Sequence, residues 1–148
     1  MPQSLSNVLV HLVFSTKNRT AWLTPALREE VFAYLVGILK DIGCHPIQVG
    51  GHEDHVHLVF AMVRTRSFAQ VVEEVKTGSS RWMKTEGVPG FAWQVGYAVF
   101  SVSPGEVSSV VEYVRNQADH HKTVSFMDEF RALMKEAEIE MDERYVWD

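Results

Sequence analysis

The chain reads as an α+β fold: an antiparallel sheet in split β-α-β order, with a further helix added near the C-terminus. Three observations point there. Residues 7–17 and 91–103 are rich in β-branched and aromatic side chains that alternate with period two. Residues 45–62 form two short apolar runs around Gly50-Gly51-His52-Glu53-Asp54, the pattern of a hairpin. The intervening segments carry apolar residues at helical spacing behind recognisable caps. A length of 148 residues suits one domain with a full core.

The first strand sets Val8, Val10, Leu12 and Phe14 on one face and Leu9, His11 and Val13 on the other. Both faces are apolar, so it is expected at the centre of its sheet, with His11 packed at the core edge. Thr24 caps the first helix and Pro25 takes its first position. Leu27, Val31, Tyr34, Leu35, Ile38 and Leu39 form its buried stripe, and Gly43 closes it. The hairpin follows, with strands at 45–50 and about 55–62. Ser67 and Gln70 make a capping box for the second helix, whose buried stripe is Val71, Val75, Gly78 and Trp82.

After the turn Val88-Pro89-Gly90, a strand is expected over Phe91 to Ser103 from the alternation of Phe91, Trp93, Val95, Tyr97 and Val99. Ser103-Pro104-Gly105-Glu106 starts a third helix that should run to about Asp119. Val107, Val110, Val111, Val114 and Ala118 form its stripe; Tyr113 and Gln117, four apart, share the face beside it. A last helix is expected over about 126–137. This order is that of a ferredoxin-like fold, with helices on one face of the sheet. Many functions use it.

The net charge of -5 sits in the tail: from Phe126 onward there are eight acids and three bases, and the first 125 residues hold eleven of each. A neutral body can carry a basic face, for which Arg64, Arg66, Lys76, Arg81 and Lys84 are candidates. One cysteine, Cys44, excludes an internal disulfide and fits a reducing, cytoplasmic setting. No apolar run has the length of a membrane span, and the N-terminal residues lack the pattern of a secretory signal.

The chemistry is expected around Asp54-His55-Val56-His57-Leu58-Val59-Phe60. On a strand, His55 and His57 share one face while Val56, Leu58 and Phe60 share the other. Two imidazoles on a rigid ridge can ligate a metal and leave coordination positions open for substrate. Alone, H-x-H is a weak signal, since a half-exposed strand can carry two histidines by chance. His52 is expected to be solvated in the turn. His120 and His121 either approach the site or cap a helix C-terminus.

Taken together, His55-Val56-His57, the strand Gly96 to Ser103, and Tyr113-Val114-Arg115-Asn116-Gln117 followed by His120-His121 resemble the single-tyrosine transposases of the IS two-hundred/IS six-hundred-five insertion-sequence group, within the HUH endonuclease superfamily. Lys17 and Lys76-Thr77-Gly78-Ser79-Ser80 belong to the likeness, which covers about residues 5–121. The resemblance implies a transposase domain over 1–124, with 125–148 as its acidic helical tail. It implies His55, His57 and Gln117 as ligands of magnesium or manganese, and Tyr113 as the nucleophile on the added helix. It also implies single-stranded DNA with hairpin ends as partner, and a homodimer whose active sites are shared between subunits. A related domesticated group acts on repetitive palindromic sequences.

The residue types suit that chemistry. A phenol is barely ionised at neutral pH, and a divalent ion can polarise the phosphate it attacks. Imidazoles with an amide oxygen favour manganese over magnesium. Two other readings share parts of the pattern. A histidine-triad-like phosphate hydrolase needs a third histidine where Val59 stands. A non-catalytic ferredoxin-like nucleic-acid-binding domain would stack bases on sheet aromatics such as Trp93 and Tyr97.

Overall fold

In the computed structural model, which describes residues 2–148, four antiparallel strands form one sheet. These are β1 (Leu9–Ser15), β2 (His45–Gly51), β3 (His55–Ala61) and β4 (Ala98–Val102), in the spatial order β2-β3-β1-β4. The helices are α1 (Pro25–Asp41), α2 (Phe68–Thr85), α3 (Val107–Arg115), α4 (Gln117–His120) and α5 (Phe126–Glu136). β1 lies between β3 and β4 and is buried throughout, as its two apolar faces predict. The predicted caps form: Thr24 Oγ1 accepts from Leu27 N, and Ser67 and Gln70 cap each other's backbone.

The sheet is covered on both faces. On one, α1 and α2 bury Val10, Leu12, Phe14, Val56, Leu58 and Phe60 together with Leu35, Val71 and Val75. That is the face on which helices were expected. The other face carries His11, Val13, His55 and His57. There α5 packs Phe126, Phe130 and Met134 over Val13, Ala98 and Phe100, while α3 lies along β2 and β3. α3 comes so close that a Cβ on Gly50 would sit 2.5 Å from the Val114 carbonyl oxygen.

Two expected elements are shorter than predicted. The strand expected over 91–103 is only Ala98–Val102. Phe91 and Trp93 are buried as the alternation required, but Val95 is 86% exposed. The upstream backbone has other partners. Gln94 pairs with Ser15, its N–H donating to Ser15 O (2.9 Å) and its side-chain Oε1 accepting from Ser15 N (2.8 Å). Lys76 Nζ donates to the carbonyls of Gln94 (2.7 Å), Val95 (3.1 Å) and Gly96 (2.7 Å), and burial lowers its pKa to about 8. Those carbonyls are turned onto an ammonium rather than a neighbouring strand.

The helix expected over 104–119 is a 3-10 turn at Pro104–Glu106, then α3, then α4 beyond a break at Asn116 (φ -94°, ψ 20°). Ala118 therefore leaves the predicted stripe and is exposed. Gln117 turns inward and is buried.

Candidate active site

The site lies on the second face of the sheet, between α3–α4 and α5. β3 alternation supplies His55 and His57, both fully buried. β1 supplies His11, whose neighbour Val13 pairs directly with His57; the diagonal places the rings in contact. α3 supplies Tyr113, α4 supplies Gln117 and His120, and the following turn supplies His121. One chain thus assembles His55, His57, Tyr113 and Gln117. α5 adds Glu129, which is 3% exposed and had no place among the predicted site residues.

Glu129 is the hub. Its Oε1 accepts from His57 Nε2 (3.0 Å) and lies 3.4 Å from His55 Nε2. Its Oε2 accepts from the Tyr113 hydroxyl and from Gln117 Nε2 (3.1 Å), and lies 3.2 Å from His121 Nε2. His120 Nε2 comes within 3.1 Å of it but is not aligned for a hydrogen bond. His57 Nδ1 meets His11 Nε2 at 2.8 Å. Since His57 Nε2–H faces the carboxylate, its Nδ1 accepts and His11 donates. His11 is the packed histidine expected, and it orients a site residue.

The tautomers of two other rings are also set. His55 Nδ1–H donates to Asp54 Oδ1 (2.8 Å), and His121 Nδ1–H donates to the Val124 carbonyl (2.6 Å). In the neutral rings this leaves both Nε2 atoms as acceptors. Both face Gln117 Oε1, at 2.8 Å and 2.9 Å. Gln117 cannot relieve this by flipping, because its Nε2 donates to Glu129. Among the described residues His55, His121 and Glu129 are close enough to share one ion. His52, expected to be solvated, is half-buried against His121 at 5.5 Å between ring centroids.

Burial shapes the charges. Desolvation is the main cause of the low His57 pKa, about 4, and it lowers His11 to about 3, helped by His57. Burial acts to raise Glu129, but the close contact of His121 and the hydrogen bond from His57 hold it below the usual carboxylate range. Burial, and then the charge of Glu129, pushes the Tyr113 phenol well above its ordinary value. His121 is raised: burial acts to lower it, but its contact with Glu129 outweighs that.

These shifts set a pH dependence. Lowered folded-state values for His11 and His57 mean that the unfolded chain binds protons first as pH falls from about 6.5 toward 4, so stability drops across that window. His121 opposes the drop alone, against His11, His57 and His52, which burial also lowers. In EDTA the thermal midpoint should therefore fall from pH 7 to pH 4, and fall less steeply in His11→Phe. A flat wild-type profile would mean that these rings are already charged in the fold.

Tyr113 is half-buried and reaches the surface in an open groove of about 610 Å³, lined by Ser109, Glu112, Asn116, Asp119 and His120. The candidate basic residues lie elsewhere. Arg66 pairs with Glu74, Lys76 is held by backbone carbonyls, and Arg64, Arg81 and Lys84 are exposed on or near α2, behind the sheet. Trp93 is not free to stack on bases, since its indole N–H donates to Ser79 Oγ (2.9 Å) and its ring is buried.

The family model described as "Transposase IS200 like" matches residues 4–117. Among solved structures, a candidate transposase from Deinococcus radiodurans R1 matches with a TM-score of 0.62 at 22% identity, over 79% of this chain and 98% of that one. A REP-associated tyrosine transposase bound to a REP hairpin matches with a TM-score of 0.62 at 13% identity, over 84% of this chain and 74% of that one. At such identities the likeness is one of fold. No curated protein matches. No helix among the described residues is long and apolar enough to cross a membrane. The ferredoxin-like sheet and the family match over most of the chain agree: this chain belongs to the IS200-like transposase family.

Proposed function

We propose that this transposase cuts and rejoins single-stranded DNA at hairpin-bearing ends through a 5′-phosphotyrosine on Tyr113, with magnesium or manganese held by His55, His57 and Gln117. The observation that carries the reading is the 2.8 Å approach of His55 Nε2 to Gln117 Oε1. Two acceptors that close repel unless a cation or a proton lies between them, and the donor set of imidazoles and amide oxygen fits a divalent ion. When bound, such an ion supplies positive charge that holds and polarises the scissile phosphate.

The chain's own residues do the rest. Tyr113 Oη attacks phosphorus, the P–O3′ bond breaks, and the 5′ end stays on the tyrosine. The phenol gives up a proton and the departing 3′ oxygen gains one, so the step is proton-neutral. The new ester keeps the energy of the old one, which lets a 3′-hydroxyl reverse it without a nucleotide cofactor. Glu129 accepts the phenol hydrogen bond and so stands beside the proton that must leave. His11 holds His57 in one tautomer, and Asp54 does the same for His55. The reading of 1–124 as the transposase domain with 125–148 as its own tail is supported by the packing of α5 over β1. Work on cellular DNA and a free thiol at Cys44 fit a cytoplasmic protein.

A hairpin oligonucleotide, labelled 5′ or 3′ of the cut, tests the chemistry: with manganese the downstream label should migrate with the protein on a denaturing gel. Label that never becomes protein-bound would remove the reading. Tyr113→Phe and His57→Ala proteins, each inactive alone, test the homodimer with shared sites. Mixed and exchanged, they regain cleavage if Tyr113 of one subunit serves the histidines of the other. They stay inactive if each chain uses the site that it assembles itself.

A further inference from the structure

We infer that Glu129 of α5 and His121 are ligands of the same cation as His55 and Gln117, so that the ion site is completed by residues beyond the family-matched segment. This rests on the metal-dependent reading above. Neither residue is among the ligands that the resemblance implies, and neither lies within residues 4–117.

Asp54 fixes the proton of His55 on Nδ1, and the Val124 carbonyl fixes that of His121 on Nδ1. The two Nε2 lone pairs, the Gln117 amide oxygen and the Glu129 carboxylate then face one another with no hydrogen to share. The separations are 2.8 Å from His55 Nε2 to Gln117 Oε1 and 2.9 Å from His121 Nε2 to the same oxygen. His121 Nε2 lies 3.2 Å from Glu129 Oε2, and His55 Nε2 lies 3.4 Å from Glu129 Oε1. A buried acceptor with no donor is costly, and two imidazole lone pairs that meet at one amide oxygen beside a carboxylate are costlier. A proton on one ring relieves only the contacts of that ring. One divalent cation relieves all of them.

His57 joins these four through a change of tautomer. Its Nε2–H faces Glu129 and its Nδ1 meets His11, so moving that one proton to Nδ1 frees Nε2 for the ion. A carboxylate in the set also favours a divalent ion electrostatically, because two imidazoles and an amide bring no negative charge of their own. The position of α5 is itself fixed by Phe126, Phe130 and Met134 on the sheet, so Glu129 is delivered by a packed element rather than a loose tail.

The test is calorimetric titration with manganese alone, without DNA, on the full chain and on Glu129→Gln, His121→Gln and His55→Ala. Thermal melts in EDTA confirm that each is folded. Glu129→Gln and His121→Gln should each weaken manganese at least about tenfold, since loss of an outer partner of a metal ligand already has that effect. Manganese should raise the thermal midpoint of wild type more than that of either variant. Wild-type affinity in both, with binding lost in His55→Ala, would overturn this inference and leave the proposed function standing. Tighter binding in Glu129→Gln would overturn it too, with the carboxylate standing where the ion should. Unchanged affinity in His55→Ala would remove the metal reading itself.

Discussion

Tyr113→Phe should bind the hairpin oligonucleotide as wild type does and leave no protein–DNA adduct, with cleavage down by at least about 10⁴-fold, the scale of losing a nucleophile. The phenylalanine ring keeps the packing of the tyrosine, whose ring meets His57 edge-on at 5.6 Å and His11 at 6.3 Å. What disappears is the hydroxyl and its hydrogen bond to Glu129. Gln117 still donates to that oxygen, so the variant should lose no more than about 1 kcal/mol of stability by urea titration. An adduct of wild-type strength in this variant would move the covalent step to another residue. A rate that climbs with pH through the alkaline range is expected of the wild type, because burial and Glu129 keep the phenol protonated.

Gly50→Ala should damage both the fold and the cleavage rate with a single methyl group. The added Cβ would lie 2.5 Å from the Val114 carbonyl oxygen and 2.9 Å from its Cγ1. A helix carbonyl cannot swing away, so α3 must lift from β2, carrying Tyr113 and, one turn on, Gln117. A misplacement of about 1 Å at reacting groups can cost 10²-fold in rate. Overpacking typically costs a further 1–3 kcal/mol. Cleavage rate and urea midpoint should therefore fall together. Gly37→Ala is the matched control: it lies inside α1 with nothing within 4 Å of a new Cβ, and it should stabilise by about 0.5–1 kcal/mol. Wild-type cleavage by Gly50→Ala would mean that the site does not depend on the seating of α3.

Much of this was readable in the residues because local chemistry and tertiary packing agree there. β1 and α1, the hairpin and α2 all follow from apolar period and caps, and strand alternation alone puts His55 beside His57. The segment 91–97 misled because Phe91 and Trp93 face the core as strand residues do. The decisive interactions are a lysine from α2 and a glutamine side chain, and neither leaves a periodic trace. The break at Asn116 lacks a proline or glycine to announce it. Glu129 was hidden by its company, one acid among eight in a segment whose charge reads as solvated. A signal was present: Phe126, Phe130 and Met134 make a stripe at spacing four, and Glu129 stands three residues after the first of them, on its flank. Which buried group it would meet depends on how α5 docks, and that is set by sheet residues far away in the chain.

The strand order has a bearing on solubility. A four-stranded open sheet presents two rims to which other strands can add. At the β2 rim, Pro46 lacks an N–H, and the register slips between Pro46 and Gln48, so an incoming strand finds an interrupted ladder. The β4 rim has neither a proline nor a bulge over Ala98–Val102. In concentrated solution, then, unwanted edge-to-edge association should begin at β4, and a lysine at an outward position there is the simplest way to discourage it.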